Sequence, residues 1–245
     1  MMDGGIDKRE EYLMKKILII ALIAISSIAK ADDQELTPFP GLKLKDGINM
    51  VKNADIMIPG DTRNEDDESI KLKGYAETND ADDHLNFLFH IKKEAPSEIK
   101  SYDNSTNPVD SHLRSSYKKI PLAFKFSGIP KVDGRVIGYA AAGGYSQQGG
   151  WDGVVTFFEE KDLGICSYTT FAIQKVLLAE EKTDYSVNKK PTVNSIRGNK
   201  KSGFLYSLNW YTNNRLHSIE CANRSFEPSL MGKIKNLANR VDKKN

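Results

Sequence analysis

The chain has 245 residues, with 35 lysine or arginine side chains against 33 aspartate or glutamate, and two cysteines. A net charge of +2 gives no reason to expect nucleic acid or an anionic membrane as a partner. The length suits one domain, or two small ones, and is enough to bury a sizeable core. Lysine far outnumbers arginine, which is typical of AT-rich bacterial genomes.

The N-terminal region has the pattern of a secretory signal peptide. Residues 14–16 are Met-Lys-Lys, residues 17–25 are apolar without a break, and residues 29–31 are Ala-Lys-Ala. The apolar run is much shorter than the ~20 residues that cross a bilayer, so we expect no permanent membrane anchor. Cleavage is expected between Ala31 and Asp32, and the mature protein is expected in the periplasm or outside the cell.

The first thirteen residues do not fit this pattern. Their acidic side chains cancel the basic ones that precede the apolar run, whereas a start at Met14 restores a short, basic leader. We interpret residues 1–13 as a mis-called extension and residues 14–31 as the signal peptide. Residues 32–245 then form a single β-rich domain.

Cys166 and Cys221 are the two cysteines. An even pair in an exported protein is most simply a disulfide, and closing so long a loop removes roughly 4 kcal/mol of unfolded-chain entropy. A reactive thiol or a redox pair is the alternative. Both cysteines lie in apolar, strand-like surroundings without C-x-x-C spacing, which favours the structural bridge.

The elements predicted in the first half of the mature chain are irregular. Residues 48–54 are compatible with a helical turn or two. Residues 69–76 and 85–92 favour a pair of strands around an acidic tip at 79–83. Residues 94–120 contain few apolar side chains and are too long for an ordinary connection, which indicates a surface loop or a subdomain boundary.

Alternating apolar residues dominate the middle of the chain. Leu122, Phe124 and Phe126 alternate, and the Asp133-Gly134 pair is typical of a two-residue hairpin turn that leads into a strand at 136–139.

Two further hairpins are predicted around the cysteines. The first pairs residues 153–158 with 163–173, and the second pairs residues 204–211 with 216–221. Each hairpin carries its cysteine on the second strand, so the disulfide would join the two hairpins.

The remaining segments complete the predicted fold. Residues 180–201 are basic and polar, and we interpret them as a solvated loop, with a surface for an acidic partner as the alternative. Residues 229–241 have the spacing of a short amphipathic helix. We therefore predict a mainly β fold, either a β-sandwich or a twisted antiparallel sheet, with a short C-terminal α-helix; an α+β fold is the alternative.

Residues 138–153 have the most unusual local composition, with six glycines, two tyrosines and a tryptophan. Bare backbone lets a ligand approach and aromatic rings can stack on it, although a bulged hairpin connection is the plainer interpretation. The segment matches neither the phosphate-binding nor the dinucleotide-binding glycine motif. The candidate ligand-binding residues are Tyr145, Ser146, Gln147, Trp151 and Asp152.

No catalytic constellation stands above chance. Ser146, Asp184 and His217 follow the order of a hydrolase triad, but Ser146 lies outside a G-x-S-x-G elbow. The histidines lack the spacing of zinc ligands, and the acidic residues between 61 and 83 lack the pattern of a calcium loop. We predict no catalytic residue, no metal site and no cofactor.

These observations favour an exported binding or interaction module whose partner is an unknown protein or small ligand. An extracytoplasmic hydrolase acting on envelope or host polymers is the alternative, and a structural envelope component is a third. Ser146 within hydrogen-bond reach of a histidine would favour the hydrolase.

Overall fold

The computed structural model describes residues 44–52, 63–91, 113–212 and 214–245. The predicted N-terminal extension, the predicted signal peptide with its cleavage position, and most of the predicted loop at 94–120 lie outside these ranges. Within the described ranges, no helix combines the length and apolar character needed to cross a membrane.

The described residues form three α-helices and ten strands. In chain order they are β1 (Gly47–Val51), α1 (Arg63–Lys73), β2 (Ala76–Glu77), α2 (Asp82–Ile91), β3 (Gly134–Ser146), β4 (Gly150–Glu160), β5 (Gly164–Ala172), β6 (Lys175–Ala179), β7 (Asp184–Val187), β8 (Lys190–Asn199), β9 (Gly203–Tyr211), β10 (Arg215–Asn223) and α3 (Leu230–Lys244). Short 3-10 helices cover Tyr117–Lys119 and Glu180–Lys182.

One large sheet organises the molecule, with the strand order β2-β8-β9-β10-β5-β4-β3, and β7 also pairs with β8. All its pairs are antiparallel except β2 with β8. Strands β1 and β6 form a separate parallel pair. The predicted mainly β fold with a C-terminal helix is confirmed, and the large sheet has helices packed on both faces.

The first face of the sheet carries the larger core. The side chains of β9 that alternate from Phe204 to Trp210 share this face with His217, Ile219 and Cys221 of β10, because the two strands pair in that register. Helix α3 covers the face with five buried side chains, namely Leu230, Ile234, Leu237, Ala238 and Val241. Burying each of the larger ones contributes about 1.5–3 kcal/mol.

The opposite face carries a smaller core beneath α2. Leu85, Leu88 and Ile91 of α2 are buried against apolar side chains of the sheet, which include Leu205 and Ala222. The predicted strand pair at 69–76 and 85–92 is therefore wrong. Residues 69–73 are the end of α1, β2 begins only at Ala76, and residues 85–91 belong to α2. The three buried positions of α2 recur every three residues, which places them on one side of a helix.

Two further predictions differ from the structure. Residues 48–51, interpreted as helical, belong to strand β1, which pairs with β6. Residues 180–201, interpreted as a loop, contain strands β7 and β8 joined by a tight turn. Asn188 and Lys189 both adopt positive φ there, at 44° and 63°, which is the geometry of a two-residue hairpin turn without glycine.

The predicted strand at 122–126 forms only an isolated bridge between Leu122 and Trp151. Its alternating aromatic residues instead pack against the first face of the sheet, where Phe126 is buried. The segment therefore acts as a cover for the core, and Gly134 begins β3 instead of closing a hairpin turn with Asp133.

Both cysteine hairpins are confirmed as β4–β5 and β9–β10. The predicted disulfide between Cys166 and Cys221 is present, and its two residues face each other directly across β5 and β10. The bond is buried in the larger core and joins the second strands of the two hairpins.

Candidate functional site

The predicted ligand-binding residues lie together at the tip of the β3–β4 hairpin. Tyr145 pairs with Trp151 and Ser146 pairs with Gly150, so the exposed residues 147–149 form the turn. An irregularity between Ala142 and Tyr145 shifts the register of the two strands. The segment is therefore a bulged hairpin, as its glycine content predicted, and it holds the candidate side chains on a regular scaffold.

Two positions of the hairpin accept only glycine, because atoms of other residues lie too close for a side chain. Gly143 has φ +74°, and a side chain there would overlap the Asp152 carboxylate. Gly150 has φ +86°, and a side chain there would overlap the backbone of Pro121. Asp152 accepts a hydrogen bond of 2.8 Å from the Gly144 N–H, so its carboxylate fixes the bulge.

Tyr145 and Trp151 form an aromatic pair at this tip. Their ring centroids are 5.2 Å apart with the planes tilted by 54°, and Tyr145 is 44% exposed. Trp151 is half-buried against the core, and its backbone forms two 2.8 Å hydrogen bonds with Pro121 and Ala123. Tyr145 thus presents its ring to solvent from a rigid support.

Ser146 has a local structural contact. Its hydroxyl oxygen accepts a hydrogen bond of 3.0 Å from the Gly149 N–H, which closes the turn. His217 is buried elsewhere, with its Nδ1 atom 2.9 Å from the hydroxyl of Tyr168. Asp184 is hydrogen bonded to Ser186 and Lys235. The structure therefore does not link Ser146, Asp184 and His217 by hydrogen bonds, and the order of a triad carries no catalytic geometry here.

A stack of rings surrounds His217. Its ring lies nearly parallel to those of Trp210 and Tyr168, at centroid distances of 5.1 and 6.2 Å. Burial lowers the pKa of His217 to about 4, so the ring is neutral at physiological pH. Burial also raises the pKa of the Tyr168 hydroxyl, which therefore stays protonated.

Arg215 connects β5 and the segment at 122–126 to the hairpin. It donates hydrogen bonds to the Thr170 hydroxyl at 3.2 Å and to the Asp152 backbone carbonyl at 2.7 Å. Its guanidinium also lies 3.6 Å from the ring centroid of Phe124. Strand β4 is thus fixed near the hairpin tip by a half-buried guanidinium as well as by the sheet.

A second polar group lies on the face beneath α2, and sequence reasoning missed it. Glu220 sits in register between Ser167 and Ser207, and the Ser207 hydroxyl donates to its carboxylate at 3.1 Å. His84 of α2 places its Nε2 atom 3.5 Å from the other carboxylate oxygen. The alternation of β9 and β10 places Ser207 and Glu220 on this face, but His84 lies on a helix that the sequence pattern does not predict.

Within the described ranges, no three His, Cys, Asp or Glu side chains come close enough together to hold a metal ion. No protein-family model, curated protein or solved structure matches the chain.

Proposed function

We propose that the protein is an exported binding module, periplasmic or secreted, that contacts its ligand through the tip of the β3–β4 hairpin. The observation that carries this proposal is the exposed Tyr145 ring on its half-buried Trp151 support. A rigid aromatic side chain offers a large contact area and loses little conformational entropy on binding.

The surroundings of Tyr145 suit an adaptable contact. Gln147 and Gln148 are exposed in the turn and can donate or accept hydrogen bonds. A ring bordered by amide groups fits a ligand that has both an apolar face and polar groups, which includes a protein loop or a small molecule.

Export is supported by two independent features. The buried Cys166–Cys221 disulfide is typical of proteins in oxidising compartments. Residues 14–31 have the pattern of a signal peptide. Fractionation of the native host, followed by intact-mass measurement, tests this part: we expect an extracytoplasmic, oxidised chain that begins at Asp32. An uncleaved chain confined to the cytoplasm would contradict it.

The binding surface is tested by substitutions of two exposed tyrosines. Immobilised wild-type protein, Tyr145→Ala and Tyr185→Ala are each incubated with envelope extract of the host, and bound components are identified by mass spectrometry. Tyr185 is 57% exposed on β7, near the opposite edge of the sheet, and serves as the matched control. We expect a component that binds wild type and Tyr185→Ala and is lost with Tyr145→Ala. Equal recovery on all three would reject the hairpin tip as the site.

A hydrolase is the second candidate, and the pair of His84 and Glu220 is the observation that favours it. A carboxylate that orients an imidazole is a common arrangement for taking a proton from water. Purified peptidoglycan is the probe: under this candidate wild type clears a suspension of it, and Glu220→Gln does so at least about 100-fold more slowly. No clearing by wild type would reject this candidate for that polymer.

A further inference from the structure

A groove of about 410 Å³ lies at the start of β3, at the opposite end of that strand from the hairpin tip. One wall is β3 itself, through Val136 and Tyr139, and the other is the segment 127–132 together with Lys244 of α3. Gly134, Arg135 and Val136 are exposed in succession, and Val136 is 40% exposed although it is apolar. The groove therefore borders a stretch of strand that is open on both faces.

Among the described residues, none pairs with the outer edge of β3 at residues 134–137. Strand β3 is the last strand of the sheet, and in the described part of the chain its outer edge is bonded to Arg114 at Tyr139. The chain then enters the 3-10 helix Tyr117–Lys119, and the Tyr117 ring, which contacts Tyr139, lines the groove. An uncovered edge beside a groove allows an added strand to form backbone hydrogen bonds with β3 while alternate side chains enter the groove.

The charges at the groove indicate the charge that an added strand should carry. Both charged residues of the lining are lysines, Lys131 and Lys244. Lys244 donates to the backbone carbonyl of Ile129, and Arg240 donates to that of Lys131. Among the described residues these three cations form no ion pair, so they create a positive potential at one side of an apolar groove. The nearest acidic groups of β4 are already engaged, since Glu160 accepts from the Asp133 N–H and Glu159 is paired with Arg135.

The second wall is held in place by the end of α3. The Asn245 side chain accepts from the Ser127 N–H and donates to the Gly128 carbonyl, each at 3.0 Å. The groove is thus formed before any ligand arrives, which lowers the entropic cost of binding.

We propose that this groove binds an extended, acidic peptide segment of a partner protein, which adds as a strand to residues 134–137 of β3. Apolar side chains on one face of that peptide contact Val136, and its carboxylates lie near Lys131 and Lys244. The site is independent of the hairpin tip, so Tyr145→Ala leaves it unchanged.

The probe is the fluorescein-labelled peptide Asp-Val-Thr-Val-Thr-Asp, which places both valines on one face and a carboxylate at either end. Its binding is measured by fluorescence polarisation against wild type, Lys131→Glu and Lys125→Glu. Lys125 is exposed just before the segment 127–132 and lies outside the groove lining, so it controls for net charge. We expect Lys131→Glu to weaken binding about 5-fold or more and Lys125→Glu to change it less than about 2-fold.

Two further measurements separate strand addition from a general charge effect. The peptide Lys-Val-Thr-Val-Thr-Lys should bind Lys131→Glu better than wild type. Hydrogen exchange at the amides of residues 134–137 should slow when the acidic peptide is bound. No binding at about 1 mM peptide, equal effects of the two lysine substitutions, or unchanged exchange would overturn the proposal. Binding of phosphatidylglycerol vesicles through Lys131 without peptide binding would overturn it as well.

Discussion

His217 is held neutral by its surroundings, and Asp242 anchors the adjacent ring. Asp242 accepts a 3.0 Å hydrogen bond from the Trp210 indole and is also bonded to Lys190 and Asn188. Burial alone would raise the pKa of Asp242, but the hydrogen bonds from Lys190 and Asn188 lower it below its ordinary value. The carboxylate therefore stays ionised and fixes Trp210 against His217, so the stack remains closed without a charge on the imidazole.

This arrangement predicts a pH dependence at the residue scale. Since the pKa of His217 falls from 6.5 in the unfolded chain to about 4 in the folded one, the unfolded chain takes up the proton first as the pH drops. The free energy of unfolding should therefore decrease between pH 6.5 and about 4, and this group contributes about 2 kcal/mol of that loss by pH 5.

His217→Phe keeps an aromatic ring in the stack and removes the titrating group. Urea unfolding at pH 7.5 and pH 5 should show a smaller decrease for this variant than for wild type. Carboxylates titrate alike in both proteins, so the difference between the two decreases isolates His217. Equal decreases would contradict a buried, neutral imidazole.

At the scale of elements, the turn between β7 and β8 shows what local sequence signals miss. Hairpin turns with positive φ at both central residues favour glycine, and Asn188-Lys189 lacks it. The basic, polar composition of residues 180–201 also favours a loop, but the turn is supported from outside: Asn188 bonds to Asn239 and Asp242 of α3. Tertiary contacts of this kind cannot be inferred from turn propensity.

Lys189→Gly should stabilise the protein, because glycine adopts φ of 63° without the steric cost that a lysine incurs. We expect a gain of about 0.5–1 kcal/mol in the free energy of unfolding. Lys189→Ala is the matched control, since it shortens the side chain and keeps the Cβ, and it should give no such gain. Equal gains from both variants would place the effect in the lysine side chain instead of the backbone.

The elements that were predicted correctly share one property. Strands β4, β5, β9 and β10 each pair with a strand on both sides, and apolar residues occupy most of their buried positions. The strand predicted at 85–92 is wrong because Leu85, Phe87 and Phe89 alternate as the residues of a strand do, although they belong to helix α2. The helical conformation is favoured over a strand because it buries Leu85, Leu88 and Ile91 against the sheet. The sheet surface that covers them forms only when the distant strands have assembled.

Among the candidate site residues, too, those that are close in sequence could be predicted and those that are far apart could not. Tyr145, Ser146, Gln147, Trp151 and Asp152 are neighbours along the chain, so a local glycine and aromatic signal was enough to bring them together. His84 and Glu220 lie on elements far apart in sequence, and no local pattern links them. The groove beside β3 likewise combines a strand edge with the last turn of α3.

At the scale of the whole molecule, the disulfide joins the two hairpins that form the centre of the sheet. Because it closes a long loop in the unfolded chain, Cys166→Ser with Cys221→Ser should lower the free energy of unfolding by about 4 kcal/mol. Urea unfolding of wild type in dithiothreitol should give a similar loss. An unchanged midpoint in both cases would show that the sheet does not depend on the bond.

The most direct test of the binding module is photo-crosslinking in the native host. A benzoylphenylalanine is placed at position 147, at the hairpin tip, and in a second strain at position 185 as control. We expect an adduct at position 147 in the extracytoplasmic fraction, its loss when Tyr145→Ala is added, and no matching adduct at position 185. The same adduct from both positions, or none at position 147 from a correctly exported chain, would contradict a binding site at this tip.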